Sequence, residues 1–420
     1  MIPSFLVRLH FRSLSTNANH PKANKGTLTH RLFGVQPQEL TNKISVCQDK
    51  ICVLHLGLEE GSNIQPRLHV WKWQEGEKCF VRSFPSYFQF GRCSNLLGMQ
   101  TLEYCQIQSF SFLSSNHLLF LIHPPVDVEQ ARDSEVDLRL VICDIEKTSQ
   151  LDKDTGPNSY VATAEFYFPP FHDCASLGDV YIYSDPPPCS LSELDARTKD
   201  KNADSSVNDS VPFTIGALDR LFAIKIAIFI HGYRRITMAH LGIFVPLSTF
   251  IPYLLYPKLS AVIRGEVPSD EETRVLECAR DEITIKWEDW IPSGTRILTL
   301  PNDNGGWVCD VYGMKFVHAE KTSHNPKRVI VLDFNSPDVL RNLLRGEGKG
   351  ECGKEEVEDQ TLYSEDVIET TTIDARGYIF AVNVTTGVPY RATCSKEKFS
   401  FERVMITEDN VVFVKVSGKL

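Results

Sequence analysis

The sequence predicts an all-β protein with an antiparallel, β-propeller-like architecture, few short helices and long loop insertions. Three observations lead to this prediction. Runs of β-branched and aromatic residues follow one another along nearly the whole chain of 420 residues, whereas helical periodicity is scarce. A hairpin-like pattern recurs at several places, and 24 Gly and 23 Pro residues suit a fold with many turns.

The recurring pattern consists of an apolar position, a short polar turn and a strand-forming run, and it aligns without a gap in four segments. Self-similarity of this kind is typical of stacked or radially arranged units. Asp, Asn, Gly and Ser between β-branched runs favour reversal of the chain. The sequence therefore predicts a β-hairpin in each segment. The four segments are Ser45–Leu54, Phe112–Leu121, Thr372–Ala381 and Met405–Val414.

Many short antiparallel strands are compatible with a sandwich, a barrel or a propeller. We favour a propeller, because about four strands per blade at roughly 40 to 60 residues each would use the chain as about six or seven blades. The predicted strands are Lys43–Leu56, Arg67–Trp73, Phe80–Phe84, Ile107–His123, Leu138–Asp144, Val161–Phe168, Leu221–Ile230, Thr237–Val245, Arg296–Leu300, Trp307–His318, Arg328–Phe334 and the segment from Val367 to the C-terminus.

Only two helices are predicted. One spans Ser248–Ala261 and begins at Ser248. The other is "SPDVLRNLL", in which Ser336 can serve as the N-cap and Pro337 stands at the first helical position.

Residues 38–420 are predicted to form one propeller-like domain with three disordered loop insertions. Each insertion is rich in charged and small polar residues and lacks the apolar content that would order it. All three fall between predicted strands, as loops of a repeat architecture should. The insertions span residues 124–137, 184–212 and 346–360.

Residues 1–37 are predicted to be a disordered or targeting-like segment. No acidic residue precedes Glu39, and Arg8 and Arg12 interleave with apolar residues, which resembles a mitochondrial transit peptide. We favour the alternative, which is a frayed or misassigned N-terminus on a truncated chain. The 12 Cys residues are scattered singly and fit a reducing compartment. We therefore expect a cytoplasmic or nuclear protein, with a mitochondrial location as the alternative.

The charge of the chain bears on its partners. A formal net charge of −10 argues against a nucleic-acid partner, because phosphate binding requires a dense basic face. The segment Ile236–Leu255 has about the length that a bilayer requires and carries no formal charge. Its prolines and β-branched residues favour strands instead, so Leu221–Ile230 and Thr237–Val245 are predicted to be two buried strands joined by "HGYRR".

Several motifs together resemble the long C-terminal region of fungal F-box proteins, over roughly Gln38 to Leu420. They are "RLHVWKWQEG", "SFSFLSSNHLLFLIHP", "LRLVICDIEK", "IKWEDWIPSGTRIL", "VCDVYGMKFV" and "GYIFAVNVTTGVPYRATCSKEKFSFERVMITEDNVVFVKV". The resemblance implies a propeller-like β-region that recruits a substrate to a ubiquitin ligase through a Skp-type adaptor.

The chain departs from that family at the F-box itself. The segment "QPQELTNKI", Gln36–Ile44, is similar to the proline-initiated start of an F-box, but a strand follows at once in place of two helices. The sequence therefore predicts the receptor-like part without the part that binds the adaptor. We expect one or more protein partners, no nucleic acid and no membrane, and a Skp-type adaptor is doubtful.

Candidate catalytic and metal-binding motifs are incomplete. "GKGECGKE", Gly348–Glu355, has the glycine and lysine spacing of a phosphate-binding loop, but Glu355 stands where Ser or Thr must hold magnesium. Cys47, Cys52 and His55, or His172 and Cys174, lack the second ligand cluster that a zinc site requires. No G-x-S-x-G elbow is present. The sequence predicts no enzyme, cofactor or metal site.

A protein-interaction module is therefore the predicted function. The alternatives are a propeller-type enzyme with an axial site and a mitochondrial or membrane-associated scaffold. The polar turn between two apolar strands places Tyr233, Arg234 and Arg235 at one end of the structure, where Arg and Tyr make good contact residues. Trp290 and Trp307 are predicted to form an aromatic patch on one face. These five residues are the candidate partner-binding set.

Overall fold

The computed structural model describes residues 4–10, 27–33, 43–58, 64–75, 77–83, 106–123, 138–150, 160–185, 219–232, 235–255, 261–263, 284–301, 310–320, 327–335, 362–407 and 410–414. These residues are mostly β-structure in several antiparallel sheets, which confirms the predicted all-β class. Propeller closure and the number of blades stay predictions.

Contacts within the chain define two compact units. The first comprises Met1–Tyr167, Pro187–Leu191 and Tyr256–Thr284, and the second comprises Phe168–Pro186, Ser192–Leu255 and Ile285–Leu420. The prediction of one domain over residues 38–420 stays a prediction.

The first unit begins with an antiparallel strand pair in which Ser4 is opposite Phe33 and His10 is opposite Thr27. Apolar and β-branched residues dominate both segments, which favours strands. The pair lies within residues 1–37, and the assignment of that segment as disordered or targeting-like stays a prediction. The strands are β1 (Ser4–His10) and β2 (Thr27–Phe33).

A four-stranded antiparallel meander follows in the order of the sequence. Its first turn consists of two residues, Gln48 and Asp49, and Gln48 adopts a positive φ of 51°. A polar residue with positive φ is a common solution for a tight hairpin turn. The strands are β3 (Lys43–Cys47), β4 (Lys50–Leu58), β5 (Ile64–Lys72) and β6 (Glu77–Ser83).

A second meander in the same unit has the same strand order, with a two-residue turn at Ser115–Asn116 between its first two strands. Two short strands, Ala261–Ile263 and Thr284–Ile285, pair with its last strand. Helix α1 (Ile145–Gln150) follows its third strand. The strands are β7 (Gln106–Ser114), β8 (His117–His123), β9 (Arg139–Asp144) and β10 (Tyr160–Tyr167).

The core of the first unit joins the two meanders. Alternate residues of a strand point to the same face, and one face of each meander supplies side chains to a shared core. Side chains from both faces, among them Leu68 and Phe120, form one buried cluster. The hydrophobic effect of this burial holds the two sheets together.

The second unit contains another four-stranded antiparallel meander. After its third strand the chain forms a 3₁₀ turn at Leu247–Thr249 and helix α2 (Ile251–Leu255), and helix α3 (Trp287–Gly294) precedes its last strand. The strands are β11 (Ala175–Tyr183), β12 (Leu221–His231), β13 (Ile236–Pro246) and β14 (Arg296–Leu300).

A five-stranded antiparallel sheet completes the larger part of this unit, in the spatial order β15-β16-β17-β21-β18. Strands β19 and β20 pair with each other. Phe244 packs against Phe316 and Phe334 in a buried cluster that joins this sheet to the preceding meander. The strands are β15 (Val311–Tyr312), β16 (Lys315–Ala319), β17 (Val329–Asp333), β18 (Leu362–Val367), β19 (Thr371–Ile373), β20 (Val384–Thr386) and β21 (Tyr390–Ser395).

A final antiparallel pair consists of β22 (Arg403–Ile406) and β23 (Val411–Val414). Three of the four predicted hairpins are thereby confirmed. Their turns close at equivalent positions, although a register shift between Phe112 and Ser114 changes the pairing of the second hairpin beyond its turn. Cys47 is opposite Lys50, Ser114 is opposite His117, and the Thr407 N–H donates to the Asn410 carbonyl oxygen at 2.9 Å.

The fourth predicted hairpin, Thr372–Ala381, is wrong. β19 pairs with β20, while residues 375–377 form a 3₁₀ turn. The Asp374 carboxylate accepts the Arg376 N–H at 2.8 Å, and the Asn383 side chain accepts the Ala375 N–H at 2.9 Å. Asp and Asn side chains that bond to the nearby backbone compete with strand pairing, and here they divert the chain.

The predicted helix Ser248–Ala261 is only partly correct. Helical turns begin at Leu247, after Pro246, which makes no side-chain cap, and helix α2 ends at Leu255. Helix α3 was not predicted. The predicted helix "SPDVLRNLL", the insertions 124–137 and 346–360, and all but Ser184 and Asp185 of the insertion 184–212 lie outside the described residues.

No helix among the described residues has both the length and the apolar character needed to cross a membrane. The segment Ile236–Leu255, which has about the length of a span, is divided into strand β13, the 3₁₀ turn and helix α2.

Candidate functional site

The candidate site is the free end of the long hairpin formed by β12 and β13. The two strands pair along their full length, from Leu221 opposite Pro246 to His231 opposite Ile236. Their apolar and β-branched composition favours strands. Burial decreases along β12, from a fully buried Leu221 to an exposed Phe229. The hairpin therefore runs from the core of the second unit to solvent.

Strand β11 supports the hairpin close to its exposed end. Ala175 pairs with Ile230, and the next residue of β12, His231, donates its backbone N–H to the carbonyl oxygen of Cys174 at 2.7 Å. The Ser176 Oγ lies 2.7 Å from the His231 Nε2. These contacts hold the end of β12 as a regular strand rather than a frayed loop.

A glycine in β11 makes room for the aromatic ring at this end. An ideal Cβ on Gly178 would lie 2.7 Å from the Cε2 atom of Phe229, closer than side chains approach each other. The ring therefore lies directly beside the glycine backbone. This close approach fixes the ring on one face of the sheet.

Three large apolar side chains share that face and are exposed. Phe229 and Met238 are cross-strand partners, and Ile236 points to the same face as Met238 because it lies two residues away. Their exposed fractions are 36% for Phe229, 40% for Met238 and 64% for Ile236. We call these three residues the hairpin patch.

The outer side of β13 is only partly covered by its neighbour. β14 pairs with β13 from Phe244 to His240. Within the described part of the chain, no strand pairs with residues 236–239 on the side away from β12. Among the described strands, this stretch of β13 is therefore an unpaired sheet edge, here called the open edge, which is the type of surface that accepts a further strand.

The direction of the backbone groups at this edge follows from the turn. The Gly232 N–H donates to the Arg235 carbonyl oxygen at 3.0 Å, so the Arg235 backbone faces β12. Successive residues of a strand direct their N–H and C=O groups to alternate sides. Ile236 and Met238 therefore present both backbone groups at the open edge, and Thr237 faces β12.

The end of the hairpin is also positively charged. Arg235 is exposed, Arg234 precedes it, and no acidic residue occurs between Asp219 and Glu266. The neighbouring turn before β11 contributes one exposed carboxylate, Asp173. In a chain with a net charge of −10, this basic end is a local exception.

The predicted partner-binding residues have different positions in the structure. Arg235 is exposed at the end of the hairpin. Tyr233, Arg234 and Trp307 lie outside the described residues. Trp290 is only 3% exposed, so it cannot supply the predicted exposed aromatic patch.

Trp290 is buried because residues 287–294 form a helix instead of an extended segment. The helix turns Trp290 and Ile291 toward the core, and the Trp290 ring packs edge-on against Phe168 at 5.4 Å. Glu288 and Asp289 in the first turn were the available signal for a helix start, because acidic side chains stabilise a helix N-terminus.

The residues that sequence reasoning missed are those of the hairpin patch. They lie directly beside the polar turn, at the ends of two runs that were predicted to be buried strands. An apolar residue next to a long polar turn has less core to cover it, and this was the signal that could have identified them.

A second cluster of ionisable side chains lies around Lys225 in the second unit. Lys225 forms an ion pair with Asp310, and its Nζ lies 5.2 Å from the ring centre of Phe316 and 5.6 Å from that of Tyr183. Burial raises the pKa of the Tyr183 hydroxyl, which therefore stays protonated at neutral pH. The ammonium group is engaged by a carboxylate and two rings, which is the arrangement of a structural contact.

His172 and Cys174 form a local pair at the start of β11. The Sγ atom of Cys174 lies 3.0 Å from the His172 Nδ1, which also accepts the Cys174 backbone N–H at 3.2 Å. Because Nδ1 accepts the backbone hydrogen, the thiol is the donor to it. Among the described residues, no group of three or more His, Cys, Asp or Glu side chains could hold a metal ion.

Comparison with protein-family models, curated proteins and solved structures finds no match to this chain.

Proposed function

We propose that this protein is a non-enzymatic protein-interaction module and that the end of the β12–β13 hairpin is part of its contact surface. The hairpin patch carries this proposal, because Phe229, Ile236 and Met238 expose apolar area on one face beside Arg235. Contiguous exposed apolar side chains with a polar rim are typical of protein contact sites.

The proposed architecture is a β-propeller of about six or seven blades. Its support is the repetition of one unit: β3–β6, β7–β10 and β11–β14 are consecutive four-stranded antiparallel meanders, the form of a propeller blade. Rigid sheets of this kind hold their connecting segments in place, which suits them for binding.

The partner we propose is a protein substrate, as for the receptor part of the F-box proteins that the sequence resembles. In that role the module would recruit its partner for ubiquitin transfer. A Skp-type adaptor is not part of the proposal, because the two further helices of an F-box are replaced by the strands β3 and β4.

An enzymatic role has less support. Within the described part of the chain, the ionisable cluster around Lys225 has its charges paired with each other and packed against aromatic rings. An active-site lysine or carboxylate must be free to meet a substrate.

The proposal is tested by replacing two of the three residues of the hairpin patch. The variant carries Ile236→Ser and Met238→Ser, and the matched control carries Ile44→Ser and Val46→Ser. The control removes two residues that are each 49% exposed and are also spaced by one residue on a strand. Proteins captured from cell extract by wild type, variant and control are quantified by mass spectrometry, and captured proteins are then purified and titrated directly.

We expect one or more proteins that bind wild type and control directly and bind the hairpin variant at least about tenfold more weakly. Equal capture and equal direct affinity for all three chains would show that the hairpin end is not the contact surface. Absence of any directly binding protein would overturn the interaction role itself.

A further inference from the structure

We infer that residues 236–239 of β13 bind an extended acidic segment of a partner protein as an added antiparallel strand. This inference rests on the proposed function and specifies the partner class. It follows from three properties of one short edge: the direction of its backbone groups, the exposure of its side chains and its charge.

The backbone provides the first argument. Ile236 and Met238 each offer one N–H and one C=O group on the open side, and β14 already uses that side of β13 from His240 onward. An incoming strand would continue the row of β14 toward the turn. Four residues of edge are about 13 Å long, which matches a short peptide segment rather than a whole sheet.

The side chains provide the second argument. In strand addition, backbone bonds give affinity while alternate side chains give specificity. Ile236 and Met238 expose their side chains on the face that also carries Phe229. A partner segment with apolar residues at alternate positions would cover all three, with polar residues between them facing the other way.

Charge provides the third argument and selects the partner. The exposed Arg235 directly precedes the edge at its turn end, and the hairpin sequence itself contains no acidic residue. Because all the described strand pairings of this unit are antiparallel, we assign the same direction to the added strand. Its C-terminal end then lies beside Arg235, so the recognised pattern is apolar, polar, apolar, followed by acidic residues.

Proline substitution tests the backbone bonds separately from the side chains. Met238→Pro removes the N–H that points to the open edge and leaves the backbone groups that pair β13 with β12 unchanged. Proline is tolerated at such a position, on the unpaired side of an edge strand. Met238→Ala is the matched control, because it loses the same side chain and keeps the N–H. Folding of each variant is checked by circular dichroism and urea unfolding.

The probe is a displayed library of short random peptides selected against each chain. We expect wild type and Met238→Ala to enrich alternating apolar peptides with acidic C-terminal ends. Met238→Pro should bind the enriched peptides about tenfold more weakly than Met238→Ala, and Arg235→Glu should lose the preference for acidic ends. Raising the salt concentration should weaken the acidic preference.

Amide hydrogen exchange provides a second readout that needs no variant. In the free protein the Ile236 and Met238 amides should exchange quickly and the Thr237 amide slowly, and the enriched peptide should slow the first two. Slow exchange at Ile236 and Met238 in the free monomer would overturn the inference, because another part of the chain would then occupy the edge. Slow exchange that appears only at high protein concentration would show that a second copy of the chain occupies the edge, and this result would also overturn the inference.

The two proposals fail in different ways. If proteins still bind through the hairpin patch but Met238→Pro binds as well as Met238→Ala, strand addition is wrong and the interaction role stands. Selection of peptides without acidic ends, or of none, likewise contradicts the inference. Only the absence of every directly binding protein removes the proposed function too.

Discussion

The guanidinium group of Arg296 donates from Nε to the backbone carbonyl oxygen of Val388 at 2.7 Å, and Arg296 is completely buried. The same group donates to the Thr371 Oγ1 at 2.6 Å and to the Glu369 carbonyl oxygen at 3.0 Å. It also lies over the ring of Tyr390 at 5.2 Å. One side chain on β14 thus ties down the backbone on both sides of the β19–β20 pair.

Replacing Arg296 with Met should destabilise the protein strongly. The three acceptors lose their donors, and an unpaired buried polar group costs about 1–3 kcal/mol. We expect a loss of about 3–5 kcal/mol in the free energy of unfolding, measured by urea titration. Arg296→Lys should lose about 2–3 kcal/mol, because an ammonium group cannot reproduce the planar donor set.

The exposed Arg376 provides the control for this prediction. Arg376→Lys should change the unfolding free energy by less than about 0.5 kcal/mol. If Arg296→Met unfolds at the same urea concentration as wild type, the network contributes no net stability and its structural role is refuted.

Two glycines with opposite surroundings make a matched pair. An ideal Cβ on Gly242 would lie 2.8 Å from Leu300 Cδ1 and 3.0 Å from Phe244 Cε2, whereas one on Gly377 meets nothing within 4 Å. Gly242→Ala should therefore lower the unfolding free energy by about 1–3 kcal/mol through overpacking. Gly377→Ala should leave it unchanged within about 0.5 kcal/mol. Equal midpoints for the two variants in thermal unfolding would contradict the packing around β13.

The imidazole of His117 makes the stability depend on pH. Burial lowers the pKa of His117 below its ordinary value of 6.5, an effect that Asp144 opposes and Lys147 reinforces. Below about pH 6.5 the unfolded chain binds a proton that the native protein resists, so stability falls as the pH falls. For one proton the slope cannot exceed about 1.4 kcal/mol per pH unit.

The variant His117→Asn isolates this contribution. It is expected to lose less stability than wild type between pH 7.5 and pH 5.5 in urea titrations, although it is less stable at both. A steeper loss of stability in the variant would mean that the folded state stabilises the charged imidazole, which would contradict a lowered pKa of His117.

The described cysteines should differ in their reaction with iodoacetamide. Burial raises the pKa of Cys52, with a further contribution from Cys143, and raises that of Cys79. The thiolate is the reactive species, so these groups should react slowly. Among the described cysteines, we expect the half-buried Cys174 to be alkylated first and Cys52 last. The order is measured by mass spectrometry of the labelled peptides. Native Cys52 reacting as fast as Cys174 would show that the first unit opens readily.

The sequence predicted the local strand pattern well because period-two alternation and turn chemistry act over a few residues. Ser45–Leu54 and Phe112–Leu121 form hairpins with turns at equivalent positions for that reason. Thr372–Ala381 has the same pattern of apolar and polar residues, but the Asp374 and Asn383 side chains bond to the backbone between them. The pattern of apolar and polar residues alone does not reveal that these side chains compete with strand pairing.

The candidate site was predictable only in part. The polar turn next to apolar runs correctly placed Arg235 at an exposed end. The local signal for Ile236 and Met238 was their position next to the polar turn, whereas the point at which β14 stops pairing with β13 depends on a contact between segments far apart in the sequence. Trp290 was misassigned because a helix, not a strand, presents it to the core.

The short strand Ala261–Ile263 pairs with Tyr160–Ala162 at the edge of the second meander. Much of the second unit is encoded between these two segments. During synthesis on the ribosome, β10 therefore emerges long before the strand that covers its edge. For that interval the nascent chain carries an unpaired edge with apolar Val161 and Ala162, the kind of surface that chaperones shield and that aggregates when they do not.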